Sequence, residues 1–243
     1  MSIPFSRGWL LGLLTALSCE AATTAPATTV AARPTNLPAG YSQFASSVWL
    51  RIDGNVIVVS TTDVPDHNSP YFGAGNAKYE APQAGMVQNP NAISAQAYVF
   101  RIPITPAVAG TAADTPMDAI GVALNGVVFF NQYAAGRTAL GPELISMDRF
   151  NGHPAPRNNY HYHIEPAFLT AASNSKLLGF ILDGYPIYGT KETDRSTPTA
   201  LDACNGHTHA TSEYPGGTYH YHVVAAPPYL VGCFHGAAGT VTN

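Results

Sequence analysis

The tetrapeptide Tyr-His-Tyr-His occurs twice in this chain, at residues 160–163 and again at 219–222. With 13 Tyr and 9 His among 243 residues, random order would give even one copy in roughly one shuffle per thousand, so two copies point to an internal repeat. The repeat is wider than the tetrad. An Asp-x-x-Asn-Gly-His segment precedes each copy, at 148–153 and 202–207. Further upstream an apolar run with a central Asn125-Gly126 (121–130) parallels one with a central Asp183-Gly184 (179–188). Two homologous units follow, 118–166 and 177–228, with insertions falling between the motifs.

The repeated parts read as strands. Apolar runs broken by Asn-Gly or Asp-Gly are tight-hairpin signals, and residues 48–61 carry another around Asp53-Gly54-Asn55. Residues 95–104 form an apolar run closed by Pro103 and Pro106, as a strand would be. Only 167–178 offers room for a short helix. With 22 Gly, 20 Pro and 11% charged residues, long helices are disfavoured and short strands joined by tight turns are favoured. The expected fold is mainly β, an antiparallel sandwich or barrel-like domain containing an internal duplication of a β unit. Glycines 126, 152, 184 and 206 are expected at positive φ in turns.

A strand gives the tetrad a definite geometry. Side chains alternate between faces, so His161 and His163 project from one side, about 7 Å apart in Cα, and Tyr160 and Tyr162 from the other. The same holds for His220 and His222 against Tyr219 and Tyr221. Two imidazoles at this spacing can grip one ion at about 2 Å, with His153 and His207, each on a Gly-preceded turn, as third ligands. No Met or free Cys accompanies them, so the donors are imidazole and oxygen, which suits copper or zinc. Asp148, Asp202, Asp183, Asn125, Tyr162 and Tyr221 are expected around these ligands, either orienting the rings or closing their own turns. The competing reading is packing: buried tyrosines with satisfied hydroxyls and hydrogen-bonded core histidines. His209 and His235 have no counterpart in the first unit.

The N-terminus reads as an export signal. Arg7 precedes the apolar run 9–17, too short to span a bilayer, and small residues follow. Cleavage after Ser18 and lipidation of Cys19 both suit this segment, and an anchor at Cys19 is the one membrane attachment expected. The Ala/Thr/Pro tract that follows has nothing to bury and reads as a disordered tether. Export places Cys204 and Cys233 in an oxidising compartment, where a bridge is favoured over a metal-ligand role. A formal net charge of −4 and the lack of a basic run leave no footprint for nucleic acid.

The repeated Asn-Gly-His and Tyr-His-Tyr-His motifs, with the segments around Asp183-Gly184, Cys204 and Cys233, resemble the YHYH-domain proteins, an exported family named for the tetrad. The resemblance extends upstream to 64–73, 89–103 and 120–131 and covers most of 48–236. It implies a role for His67, in a Pro-Asp-His element, as a further site residue, and it carries no established activity. The expected organisation is a signal peptide at 1–18, a tether at 19–40, a β domain at 41–236 (N-terminal part 41–117 and the two units) and a tail at 237–243. The expected function is an exported metal-binding protein or metalloenzyme. A metal-free hydrolase or lyase using a pair such as His67 with Asp66, or His207 with Asp183, is the alternative, as is a structural surface-binding domain.

Overall fold

β-branched and aromatic residues on both sides of Gly54 and Asn55 form the first hairpin, with Gly54 at a φ of 59°. The computed structural model describes residue 1 and residues 32–243. The signal segment, Cys19 and the tether as far as residue 31 lie outside the described residues. In chain order the strands begin with β1 (Trp49–Asp53), β2 (Val56–Thr61), β3 (Tyr98–Pro103) and β4 (Val108–Asp114). The segment 118–166 supplies β5 (Gly121–Ala123), β6 (Val128–Phe129), β7 (Tyr133–Ala134), β8 (Thr138–Ala139), β9 (Gly152–Pro154) and β10 (Tyr160–Tyr162). After the one-turn helix α1 (Ala167–Thr170) come β11 (Leu177–Ile181), β12 (Pro186–Tyr188), β13 (Gly206–His209) and β14 (Thr218–His222). The chain closes with β15 (Cys233–Gly236) and β16 (Thr240–Thr242). The helical room at 167–178 is thus used only at its start, because Leu177 and Leu178 are already buried in a strand.

The protein is mainly β and sandwich-like. A four-stranded antiparallel sheet, β1-β2-β3-β16, accompanies an eight-stranded sheet ordered β13-β14-β12-β11-β5-β6-β10-β9. Read outward from the central β11–β5 pair, the two halves of the large sheet repeat each other. Each half has an antiparallel hairpin, then a parallel pair (β6 with β10, β12 with β14), then an antiparallel outer pair. The parallel contacts depart from the antiparallel expectation. They arise because about 30 residues separate β6 from β10, enough for a crossover, where a tight turn would have forced antiparallel pairing.

One hydrophobic cluster joins both sheets, with Ile57, Val59, Phe100 and Ile102 meeting Ile120, Val122, Phe180 and Ile181. Tyr41 stacks on Phe180 at 3.8 Å between centroids. The compact unit begins at Arg33, whose guanidinium donates to the carbonyls of Phe44, Ala45 and Val48 at 2.6–2.9 Å. At the other end, the segment expected as a tail supplies β16 at the edge of β3. A disulfide joins Cys204 to Cys233. Among the described residues no helix is long and apolar enough to cross a membrane.

Candidate functional site

Strand alternation sorts each tetrad into two faces. Tyr160, Tyr162 and Tyr221 are fully buried in the core, and Tyr219 nearly so. The histidines project to the other side, and strand register brings the third one to them. His153 on β9 is the direct cross-strand partner of His161, and His207 on β13 is that of His220.

The Asp-x-x-Asn-Gly-His segment is the turn that sets this register. Asp148 accepts the N–H groups of Phe150 and Gly152 at 2.9 and 3.4 Å, and Asp202 accepts those of Cys204 and Gly206 at 2.9 and 3.1 Å. Asn151 and Asn205 take the left-handed conformation, with φ of 66° and 67°. The glycines of this motif therefore do not supply the positive φ expected of them, whereas Gly126 and Gly184 do. Gly152 and Gly206 are required because the rings of Tyr160 and Tyr219 lie where a Cβ would stand.

The acidic residues expected around the ligands serve the tyrosine face instead. Tyr160 donates to Asp148 at 2.8 Å, Tyr219 to Asp202 at 3.0 Å, Tyr221 to Asp183, and Asn125 donates to the Tyr162 hydroxyl at 3.2 Å. Burial pushes the Asp148 and Asp183 carboxyls up, against the lowering effect of their hydroxyl donors. Burial likewise raises the Tyr162 and Tyr221 phenols, so both stay protonated.

The ring orientations come from backbone carbonyls. Nδ1 of His161, His163, His207, His220 and His222 faces the carbonyl oxygens of Asn159, Asn131, Thr199, Thr218 and Gly189 respectively. A carbonyl can only accept, so each Nδ1 carries the proton. His153 follows the same rule: Ser146 Oγ gives its proton to the Glu143 carbonyl and accepts from His153 Nδ1 at 2.7 Å. In a neutral ring this tautomer leaves Nε2 as a bare lone pair. Yet Nε2 of His161 lies 2.9 Å from that of His163, and Nε2 of His220 lies 3.0 Å from that of His222. Protonation does not relieve the contact, because burial depresses the His163, His220 and His222 pKa values to about 4 and that of His153 to about 3. His161 is lowered too, by burial first and by His163 and His153 second.

These side chains form two groups whose ligand atoms lie within 4.8 Å of one another: His153, His161 and His163, and His207, His220 and His222 with Glu192. Both can hold a metal ion. Two nitrogens each about 2 Å from one ion stand roughly 2.8–3.3 Å apart for angles between 90° and tetrahedral, the separations seen here. His207 Nε2 adds a second sign. It lies 3.0 Å from Glu192 Oε1 and is buried without a hydrogen bond of normal geometry, so the ring nitrogen and the carboxylate face each other with room for a shared ion. Glu192 escapes sequence reasoning because it sits in the charged stretch 191–195, which reads as a solvated turn. Its burial to 5% exposure is what sets it apart.

His67 joins neither group. It lies on the tyrosine face, its Nε2 3.0 Å from the Tyr162 hydroxyl and its ring against Phe150 and Phe168. His209 is half-exposed beside Glu192, and His235 stacks on Tyr219 at 3.6 Å between centroids. The His–Asp pairs considered as general bases are not formed: His67 contacts Tyr162 and the Asn68 carbonyl, and Asp183 is bonded to Tyr221.

The model of the family described as "YHYH protein" matches residues 99–200 and 192–236, which include both tetrads, both Asn-Gly-His turns and Glu192. The chain belongs to the YHYH protein family. Neither a curated protein nor a solved structure matches it. In this YHYH protein the family match holds the large sheet and both histidine groups, while β1, β2 and His67 lie before it.

Proposed function

We propose that this YHYH protein is an exported metal-binding protein that holds zinc or copper in each of two trihistidine groups. The ligands are His153, His161 and His163 in the first, and His207, His220, His222 and Glu192 in the second. The observation that carries the reading is the set of proton-free Nε2 atoms facing one another near 3 Å, a contact that repels unless a cation lies between them. A borderline cation suits an imidazole and carboxylate set, whereas calcium or magnesium would call for oxygen donors. Export is supported by the Arg7-led apolar segment and by the disulfide, which persists in oxidising compartments.

Elemental analysis of the purified chain tests this. Two ions per chain are expected in the parent. One should be lost in the His161→Ala/His163→Ala variant and one in His220→Ala/His222→Ala, with the circular dichroism of the β fold retained. A parent that takes up no zinc or copper after reloading, while folded, would overturn the proposal.

A further inference from the structure

We propose that the two groups differ in kind: the first keeps an open coordination position for a small, uncharged, largely apolar ligand with one lone-pair donor atom, and the second is closed by Glu192. The inference rests on the metal reading above. In the second group the carboxylate occupies the fourth corner. Its oxygens lie 3.0 Å from His207 Nε2, 3.4 Å from His222 Nε2 and 4.0 Å from His220 Nε2. Three imidazoles and one buried carboxylate complete a tetrahedral set, the form taken by ions that are held and not used.

Among the described residues the first group has no such partner. Glu143 stands 3.9 Å from His153 Nε2, is 39% exposed, and does not come within reach of all three ring nitrogens. What faces the trio instead is a cavity of about 340 Å³. Three protein ligands with an open side match the pattern of metal centres that take a ligand from outside.

The lining decides the class of ligand. Phe130, Met117, Tyr133 and Ala134 make the walls largely apolar, and Phe130 stacks on His161 at 4.1 Å between centroids. The amides of Asn89 and Asn91 line the cavity too but are committed to the Pro154 carbonyl, at 3.0 and 3.1 Å. Among the described residues no Lys or Arg lines it, and Glu143 is its one carboxylate. An anion would meet Glu143 with no side-chain cation to offset it, whereas a neutral ring would lie against Phe130. The volume is near the lower end for ligand pockets, which limits the occupant to about one ring.

Cobalt(II)-loaded protein, with pyridine as the neutral probe and benzoate as the anionic one, provides the test. Pyridine should shift the visible cobalt bands saturably and bind at least about tenfold more tightly than benzoate, about 1.4 kcal/mol. The response should vanish in His161→Ala/His163→Ala and persist in His220→Ala/His222→Ala. Ala135→Trp at the cavity wall, which leaves every ligand in place, should weaken pyridine about tenfold or more with cobalt still bound twice, and it serves if the double variant does not fold. Two cobalt ions bound with no pyridine response would overturn the inference and leave the metal reading intact. So would a response that survives loss of the first group, or equal affinity for benzoate. No bound cobalt at all would overturn both.

Discussion

Asp63 holds a φ of 59° with its carboxyl group fully buried, one oxygen accepting the Val128 N–H at 3.0 Å and the other without a partner. Burial pushes its pKa well above the carboxylate range, against the opposing Val128 bond. An acid whose folded pKa is raised binds more protons folded than unfolded, so its contribution is present below the unfolded value near 3.9 and is lost as pH rises through the folded one. Asp63→Asn keeps an acceptor for Val128, tolerates positive φ and removes the charge. Urea unfolding should show the variant more stable than the parent at pH 8, with the difference shrinking as pH falls toward 4. A parent more stable at pH 8 would show that the carboxylate is solvated or paired.

At the level of elements, the turn and strand of each repeat lock together through glycine and tyrosine. Gly206 leaves the space that the Tyr219 ring fills, and the ring's hydroxyl reaches Asp202. Gly206→Ala should push the ring off Asp202 and destabilise the protein by about 1–3 kcal/mol, as overpacking does; chemical denaturation would measure it, and an unchanged midpoint would mean that the tyrosine has room to move. The disulfide ties the same turn to β15 across a sequence separation of 29. Replacing Cys204 and Cys233 together by Ser should cost about 3–4 kcal/mol in the loop-entropy picture. If the second group depends on this turn, metal content should fall there before it falls in the first, and simultaneous loss from both would place the dependence elsewhere.

For the molecule as a whole, the histidine groups make metal-free stability depend on acid. The folded pKa values of four of these rings lie below the unfolded value near 6.5, at about 3 for His153 and about 4 for His163, His220 and His222. Between those limits the unfolded chain binds more protons, so stability is present above about pH 6.5 and falls as pH drops toward 4, by up to about 1.4 kcal/mol per pH unit for each such ring. The metal-free melting temperature should therefore decline steeply over that window, and His161→Ala/His163→Ala should flatten the slope. A metal-free protein with level stability from pH 7 to 4.5 would contradict the burial of these rings.

The residue pattern alone determined the strand character of both tetrads, the separation of histidine and tyrosine faces, the hairpins at Gly54, Gly126 and Gly184, and the pairing of Cys204 with Cys233. Each follows from local chemistry: alternation in a strand, turn residues at fixed offsets, and one pair of cysteines in the domain. Tertiary structure decided what distance along the chain conceals. Cross-strand register put His153 against His161 and His207 against His220. Asp148 and Asp202 went to the tyrosine hydroxyls because their Asx turns point them to that face, and His67 went with them. Glu192 came to the second group from a stretch that looks solvated, while Glu143 stayed short of the first. Two segments alike in motif thus end as two different histidine groups, because a carboxylate's place is fixed by the packing of its loop and not by the spacing of the histidines it faces.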